Sequence, residues 1–303
     1  DSTCVACGEC VQACPTGALL PKSVLRGVGS GIESADRKID SICPYCGVGC
    51  QLTYHIKDEQ LLRVEGRDGP ANENRLCVKG RFGFDYVHHT HRLTQPLIRK
   101  DGITKDASDQ VDPADPSSHF REASWDEALS VAADGLARIR DQHGGAALAG
   151  FGSAKCSNEE AYLFQKLIRT GFETNNVDHC TRLCHASSVA ALFEGIGTGA
   201  VTAPFTACKD ADVIIVIGAN PTENHPVAAT FFKQAAKRGA HLIVMDPRGQ
   251  TLKRHASRML EFKPNKDVAL LNAMLNVIVT EKLYDQQYIQ AHTSDFESLK
   301  AHI

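Results

Sequence analysis

Residues 212–218 have the sequence DVIIVIG, a continuous apolar run that ends in a glycine. A run of this kind is typical of a strand that is buried on both faces of a parallel sheet. A second run, HLIVMD at 241–246, has the same character, and a helical pattern at 224–238 lies between the two. Strands that alternate with helices of this length predict a doubly wound parallel sheet and an α/β fold.

The same alternation extends upstream as far as Ser124, which we predict to cap a helix with Glu127 as its capping-box partner. This helix should end near the glycine pair at 144–145. A strand at 146–151 and a helix at about 157–171 follow it, and 270–283 and 296–303 are also helical in pattern. Ligands of doubly wound sheets bind at the carboxyl ends of the strands. The segments to consider are therefore 152–155, 218–225 and 246–249.

The overall composition excludes several classes of protein. Lys and Arg number 33 against 36 for Asp and Glu, which gives a net charge of −3. This balance argues against a nucleic-acid platform or a polybasic membrane surface. No apolar run approaches the length of a membrane span. Twelve cysteines among 303 residues are too few for a disulfide scaffold, and their clustering favours metal ligation in a reducing compartment.

The first cysteine run is Cys4-x2-Cys7-x2-Cys10-x3-Cys14, followed by a proline. This spacing is the bacterial ferredoxin pattern, in which the fourth cysteine ligates the other cluster of a pair. We therefore assign Cys4, Cys7 and Cys10 to one 4Fe–4S cluster and Cys14 to a neighbour with its other ligands upstream of this chain. Zinc is the alternative, although structural zinc sites favour two separated pairs of cysteines.

The second run is Cys43-x2-Cys46-x3-Cys50, with Cys77 as a fourth candidate ligand. Glycines in the run let the backbone fold closely around a cluster. From spacing alone, the site could hold either zinc or an iron–sulfur cluster. Lys79, two residues after the fourth cysteine, is by itself typical of a solvated surface lysine.

Five stretches together resemble the molybdenum- or tungsten-containing formate dehydrogenases: CPYCGVGC (43–50), LCVKG (76–80), NVDHCTRLCH (176–185), IGANPTENHP (217–226) and MDPR (245–248). These enzymes belong to the superfamily that binds bis(molybdopterin guanine dinucleotide). With the ferredoxin-like run in front, the chain is similar to the catalytic subunit of the NAD-linked, multi-subunit, cytoplasmic kind. The expected partners are formate or CO2 and a flavin- and iron–sulfur-containing subunit like that of NADH dehydrogenases.

The resemblance implies a small iron–sulfur module joined to a doubly wound domain. The implied segments are 1–22, an incomplete ferredoxin-like segment; 23–40, a linker; 41–97, a 4Fe–4S module; 98–123, a surface loop; and 124–303, an incomplete molybdopterin-binding region. We expect the chain to be a piece of a longer protein, with the arginine that grips formate beyond Ile303.

The resemblance also assigns roles to particular residues. Cys43, Cys46, Cys50 and Cys77 become ligands of a 4Fe–4S cluster, and Lys79 lies between this cluster and one pterin. Lys155 stands near the pterin where some relatives have arginine.

Cys184 and His185 match the family's catalytic pair. A soft thiolate suits a high-valent Mo or W ion, and a histidine that titrates near neutrality can orient formate or handle a proton. An isolated cysteine is otherwise most often a small buried apolar side chain.

The remaining positions concern the two dinucleotide tails of the cofactor. Gly218 and Asn220 end a predicted strand where the backbone can approach a phosphate. Glu223 can accept hydrogens from ribose or guanine, and Asp246 with Arg248 repeats the arrangement one strand later. A structural Asp-Pro-Arg turn in a generic nucleotide fold is the alternative interpretation.

Two other functions remain open from the sequence. A nitrate reductase of the same superfamily typically has methionine after the ligand cysteine, where this chain has His185. An electron-relay subunit of a complex I-like dehydrogenase keeps the fold and the clusters but lacks the pterin. Retention of Cys184, His185 and Lys79 argues against this second alternative.

Overall fold

A computed structural model of the chain describes residues 4–22, 34–106 and 110–303. The chain divides into two compact units, one comprising Asp1–Tyr45 and Gly49–Ala203 and the other Cys46–Val48 and Pro204–Ile303. Most of the predicted linker, from 23 to 33, lies outside the described residues.

The first unit contains a three-stranded antiparallel sheet in the order β1-β2-β3. Its strands are Arg37–Ile42, Gln51–Lys57 and Gln60–Gly66. The β2–β3 hairpin turns at Asp58 and Glu59, both with positive φ, as a two-residue hairpin loop requires. Strands β2 and β3 agree with the sequence, whose pattern predicts two short strands at 51–56 and 61–65. Strand β1 does not, because four residues of the predicted linker belong to it; all of β1 is exposed, so no burial pattern marks it in the sequence.

A buried histidine joins strands β2 and β3. His55 is 1% exposed; its Nδ1 lies 3.2 Å from a guanidinium nitrogen of Arg63, and its Nε2 lies 2.8 Å from Glu65 Oε2. A guanidinium can only donate, so Nδ1 accepts and Nε2 donates to the carboxylate. The bond from His55, together with the Arg63 charge, lowers the pKa of Glu65 to about 2 against partial desolvation.

Replacing Glu65 by Gln should destabilise this hairpin in a pH-dependent way. The pKa of Glu65 is depressed from 4.5 to about 2, so its contribution is fully present above pH 4.5 and is lost as the pH falls through about 2. Above pH 4.5 we expect a loss of about 1 kcal/mol, discounted because the carboxylate is partly exposed. Amide exchange in β2 and β3 should therefore be about fivefold faster in the variant at pH 6. A difference that stayed constant down to pH 2.5 would contradict this role.

The rest of the first unit is mainly helical. Its elements are α1 Glu9–Gln12, α2 Val78–Phe82, β4 Leu97–Arg99, β5 Phe120–Glu122, α3 Trp125–His143, β6 Gly150–Gly152, α4 Asn158–Lys166, β7 Val177–His179, α5 Thr181–Cys184 and α6 Ala186–Ile196. Strands β4 and β5 pair antiparallel at the two ends of the segment predicted to be a surface loop, which is a difference from the prediction. Their three-residue length leaves no measurable alternation in the sequence.

The helix caps explain where α3 and α4 begin. Ser124 accepts from the backbone N–H of Glu127, as predicted, but the Glu127 carboxylate binds Arg121 at 2.5 Å instead of closing a capping box. The complete capping box is at the start of α4, between Ser157 and Glu160. The ion pair with Arg121 therefore replaces the reciprocal bond that the sequence motif predicts.

The second unit contains a parallel sheet in the order β10-β9-β8. Its elements are β8 Val213–Ile217, α7 Pro221–Asn224, α8 Pro226–Lys237, β9 His241–Met245, β10 Arg258–Leu260, α9 Asp267–Thr280, α10 Gln286–His292 and α11 Phe296–His302. The core joins β8, β9 and α8 through Val216, Leu242, Val244 and Ala235. Burial of one such aliphatic side chain contributes about 1.5–3 kcal/mol.

The predicted α/β fold with parallel strands is confirmed, and two details differ. The parallel strands form two sheets, β6-β7 in the first unit and β10-β9-β8 in the second. In β8, Ile214 and Val216 are buried, whereas Val213 is 53% and Ile215 45% exposed. The strand is therefore covered on one face, where its alternate residues enter the core, and not on both.

In the parts of the chain that the structure describes, no helix combines the length and the apolar composition that crossing a membrane requires.

Candidate functional site

The second cysteine run folds back on itself next to strand β2. Cys43 and Cys50 are buried, and the backbone N–H of Cys43 donates to the carbonyl of Cys50 at 2.8 Å. Gly49 between them has φ +70°, a conformation that other residues rarely adopt. These contacts close the loop that carries the thiols; its middle part, 46–48 with Cys46, is assigned to the second unit.

Cys77 is brought to this loop by helix α2, which begins directly after it. The helix packs closely on Cys43, since a Cβ added at Gly80 would lie 3.4 Å from the Cys43 sulfur. Burial raises the pKa of Tyr45, and the charges of Tyr86, Cys43 and Cys77 add to the effect. Cys43 and Cys77 therefore both contribute to the raised pKa of the Tyr45 hydroxyl. Lys79 is exposed on the same helix.

The first cysteine run surrounds the short helix α1. Cys7 and Cys14 are partly buried, and Cys4 and Cys10 are exposed. The Thr16 hydroxyl, followed by backbone N–H groups, lowers the pKa of the Cys14 thiol to about 7. A lowered pKa increases the population of the thiolate, which is the form that ligates metals.

All twelve cysteines lie in the described residues, and none of them forms a disulfide. Within the same residues, no three His, Cys, Asp or Glu side chains are close enough together to hold a single metal ion. Both cysteine runs offer sulfur ligands only. This donor set fits iron–sulfur clusters, whose four irons are each bound by a separate thiolate.

Cys184 and His185 follow the carboxyl end of β7. This strand pairs parallel with β6, with Gly152 opposite His179, so the loop after β6 and the segment that leads to Cys184 leave the same edge of the sheet. Cys184 is the last residue of α5, and His185 separates α5 from α6. Both residues are exposed.

Local bonds fix the segment before the Cys184–His185 pair. Arg182 donates to Asp178 at 2.7 Å, and this bond, with a backbone N–H from His179, lowers the pKa of Asp178. The backbone N–H of Thr181 donates to His179 Nδ1 at 2.9 Å. Strand β7 and helix α5 are thereby joined by side chains on both sides of the turn at Cys180.

A cavity of about 720 Å³ opens at this edge of the sheet. Its wall includes Cys156, Glu160, Arg169, Asp178 and His179, together with the ring of Phe164. A volume of this size and a mixed lining are usual for sites that bind organic ligands. Lys155 precedes Cys156 in the loop after β6 and is exposed.

In the second unit, the predicted binding residues follow the ends of β8 and β9. Gly218 has φ +60° with open space where a side chain would lie, and its backbone N–H donates to the carbonyl of Met245 at 2.9 Å. Asn220 and Glu223 lie at the start of α7, with Asn220 partly buried and Glu223 exposed.

Asp246 follows β9, and its Oδ1 accepts the backbone N–H of Arg248 at 2.8 Å. Asp246 is buried, whereas the Arg248 side chain is exposed. The structure therefore places Asp246 and Arg248 in a turn at the strand end, and their assignment to a dinucleotide tail stays a prediction.

Residues 92–298 match the model of the molybdopterin oxidoreductase family, and residues 36–89 match the Fe4S4 domain of the same family. The chain belongs to the molybdopterin oxidoreductase family. Residues 1–20 match a 4Fe–4S binding domain, in accordance with the ferredoxin-like prediction.

Two relatives of this molybdopterin oxidoreductase chain are named for their reaction. The alpha subunits of the F420-dependent formate dehydrogenases of Methanocaldococcus jannaschii and Methanococcus maripaludis are each 38% identical to it over 86% of its length. The chain covers 36% of each of these proteins, so it spans about a third of the length of these curated relatives.

The solved structure of acetylene hydratase from Pelobacter acetylenicus superposes with a TM-score of 0.70. It is 23% identical, and the match covers 87% of this chain and 34% of that one. This likeness supports the fold assignment.

One buried residue of this molybdopterin oxidoreductase was missed by the sequence prediction. Gln250 is 6% exposed, and its Nε2 donates to the carbonyl of Ala219 at 2.8 Å and lies 3.5 Å from Asp246 Oδ2. Its Oε1 is buried without a hydrogen-bond partner in the structure. A buried acceptor without a partner is costly, and an N–H or O–H group of a nucleotide would satisfy it. The residues after β8 and β9 therefore fit a dinucleotide tail.

Gln250 had no signal in the sequence because it stands in a loop, five residues past the end of β9, without a motif of its own. A second cavity, of about 450 Å³, lies in the second unit and is lined by Gly47, Val48, Ala219 and His225 among others. The individual site assignments remain predictions.

Proposed function

We propose that this chain is part of the catalytic subunit of a formate dehydrogenase, which oxidises formate to CO2 and releases two electrons and one proton. The observation that carries the proposal is the Cys184–His185 pair, at the carboxyl end of a parallel strand in a molybdopterin oxidoreductase fold. The names of the two archaeal relatives support it. Because the chain is about a third of their length, the activity of the whole protein rests on this proposal.

The proposed cofactor is bis(molybdopterin guanine dinucleotide) with Mo or W, which when bound supplies a sulfur-rich metal able to take two electrons from formate. Cys184 offers the soft thiolate ligand that such a metal prefers. Its exposure lets the thiolate reach the metal without rearrangement of a core. Lys79 and Lys155 provide cations toward the pterins, and hydrogen bonds from a cation to the pterin ring would orient it.

The residues of the second unit would hold the dinucleotide tails. Gly218 leaves room for a phosphate because it carries no Cβ, and the space around it is open. Asn220, Glu223 and Asp246 can accept hydrogens from ribose or base, and Arg248 can pair with a phosphate. Gln250 adds a buried acceptor next to Asp246.

His185 would act beside the metal ligand as the group that orients formate and holds the proton of the reaction. An imidazole can donate a hydrogen bond to the carboxylate from one ring nitrogen and exchange a proton with solvent at the other. Its backbone carbonyl accepts the N–H of Val189 at 3.0 Å, as the first bond of α6. The backbone of His185 is therefore fixed at a helix start, one residue from the proposed ligand.

The cysteine runs would hold 4Fe–4S clusters that carry single electrons away from the site. Cys43, Cys46, Cys50 and Cys77 are the proposed ligands of one cluster. Cys4, Cys7 and Cys10 are those of a second, and Cys14 serves a neighbouring cluster. We propose an NAD-linked partner with flavin and iron–sulfur centres, in a cytoplasmic hetero-oligomer. The ferredoxin-like segment in front of the module supports this choice.

The test is element analysis of the intact enzyme combined with an assay of formate-dependent dye reduction. We expect Mo or W together with iron, release of guanine nucleotide on acid hydrolysis, and dye reduction with formate but no nitrate reduction by reduced dye. Iron without Mo or W would identify a relay subunit. Nitrate reduction without formate oxidation would identify a nitrate reductase, and reduction of coenzyme F420 instead of NAD would overturn the proposed partner.

A further inference from the structure

The side chain of Arg81 is buried in the first unit, although it carries a permanent charge. It is 3% exposed. Its Nε donates to the carbonyl of Cys7 at 2.8 Å, one terminal nitrogen donates to Gln12 Oε1 at 2.7 Å, and the other pairs with Glu9 Oε1 at 2.5 Å. Every nitrogen of the guanidinium is thus bound to the first cysteine run or to the helix inside it.

Helix α1, which carries Glu9 and Gln12, also contacts the segment before Cys77. Glu9 Oε1, which binds Arg81, also accepts the backbone N–H of Leu76 at 2.8 Å. The Gln12 amide exchanges two hydrogen bonds with the backbone of Gly66, at 2.8 and 3.0 Å. Glu9 therefore contacts the segment that leads to Cys77, and Gln12 contacts the end of strand β3.

Close packing accompanies these bonds. Gly8 has φ +73°, and a Cβ at this position would come within 2.3 Å of Arg81 Cδ. The first cysteine run thus lies directly against the arginine side chain, with no room for a larger residue. In addition, the backbone N–H of Arg81 donates to the carbonyl of Cys77 at 3.1 Å.

Arg81 therefore touches the carbonyl of Cys7 with its side chain and the carbonyl of Cys77 with its backbone. We propose that Arg81 is a positioning residue that holds the first cysteine run at a fixed separation from the second. The inference rests on the proposed function, because it assumes that both runs hold clusters. Electron tunnelling falls exponentially with distance, so a fixed separation between two clusters sets the rate of transfer between them.

The chemistry of the side chain explains why an arginine stands here. A buried charge is tolerated only when it is paired and hydrogen-bonded. The planar fork of arginine can reach the Cys7 carbonyl, Gln12 and Glu9 together, whereas the three N–H donors of lysine share one nitrogen. Lysine at this position should consequently keep the charge but lose the simultaneous hydrogen bonds to Cys7, Gln12 and Glu9.

The test compares Arg81→Gln and Arg81→Lys with wild type in the intact enzyme. Arg37→Gln is the matched control, since Arg37 lies in the same module and pairs at 3.1 Å with Glu59, away from the first run. Three quantities are measured: iron content, the spin–spin interaction between the reduced clusters by electron paramagnetic resonance, and amide hydrogen exchange over residues 8–14. In both Arg81 variants we expect a changed or lost interaction and exchange at least about tenfold faster, with iron unchanged. The control should match wild type.

An unaltered interaction and unaltered exchange in both Arg81 variants would overturn the inference. If Arg81→Gln does not fold, Arg81→Lys gives the answer, and a lysine variant identical to wild type would likewise overturn it. Wild type that shows iron for fewer than two clusters would instead contradict the proposed cluster assignment. In that case the exchange measurement still tests whether Arg81 holds the first cysteine run in place. Failure of the positioning role and failure of the cluster assignment are therefore distinguishable.

Discussion

Replacing Cys184 by Ser is expected to lower formate turnover by more than about 10²-fold, because loss of even an outer-shell partner of a metal site costs 10- to 100-fold. Serine offers a hard hydroxyl that stays protonated at neutral pH, where the metal prefers a soft thiolate. Cys184 is exposed at the end of α5, so the substitution leaves no cavity in a core. Iron content and the free energy of unfolding should therefore remain close to those of wild type.

Cys180→Ser is the matched control for this prediction. Cys180 lies four residues earlier, at the start of the same short helix, and is also exposed. The two variants are compared by formate-dependent dye reduction, normalised to Mo or W content. Near-normal turnover in Cys184→Ser, or an equal loss in Cys180→Ser, would show that Cys184 is not the metal ligand.

The sequence predicts the long elements of this fold well, and the reason is visible in the core. Strands β8 and β9 are marked in the sequence because their alternate residues, among them Val216, Leu242 and Val244, form the core of the second unit. Helix α8 begins within two residues of its predicted start and ends within one residue of its predicted end. The parallel pairing of these strands is confirmed as well. Where burial dictates residue type, periodicity is sufficient evidence.

The short elements are not predicted, because no buried core imposes a pattern on their residues. Strands β4, β5 and β7 have three residues each and contain no alternation that could mark them. Strand β1 is an exposed edge, so its residue types are not constrained by a core. These strands exist because a neighbouring strand supplies their backbone partners, which is information that a local pattern does not contain.

The residues of the candidate site also divide into those that a sequence pattern predicts and those that it does not. Motif spacing leads to both cysteine runs, to the Cys184–His185 pair and to the turn at Asp246, and the structure places Cys43, Cys50 and the Cys77 helix together. Motif spacing does not lead to Gln250 or Arg81. Their roles depend on burial and on partners far away in sequence, such as Cys7 for Arg81. These residues become visible only when the fold is known.

Replacing a cysteine of the first run and replacing one of the second run should abolish different activities. Cys7→Ala should abolish reduction of the natural electron acceptor and leave dye reduction by formate largely intact, because dyes can draw electrons from the module nearer the pterin. The Cys7 carbonyl that binds Arg81 is unaffected by the side-chain change, so the first run stays in place. Cys77→Ala should abolish both activities. Each variant should lose about four iron ions.

Cys77→Ala is also expected to destabilise its module, since cluster binding and folding are coupled when the ligands surround a small core. Cys43 is packed against the Cys77 helix at Gly80, so hydrogen exchange in β2 and α2 measures this loss separately from activity. Cys180→Ala is the control, because its thiol belongs to neither run. If Cys7→Ala lost both activities equally while its exchange pattern and remaining iron stayed normal, the first run would lie between the pterin and the second run. The order argued from Lys79 and Cys77 would then be reversed.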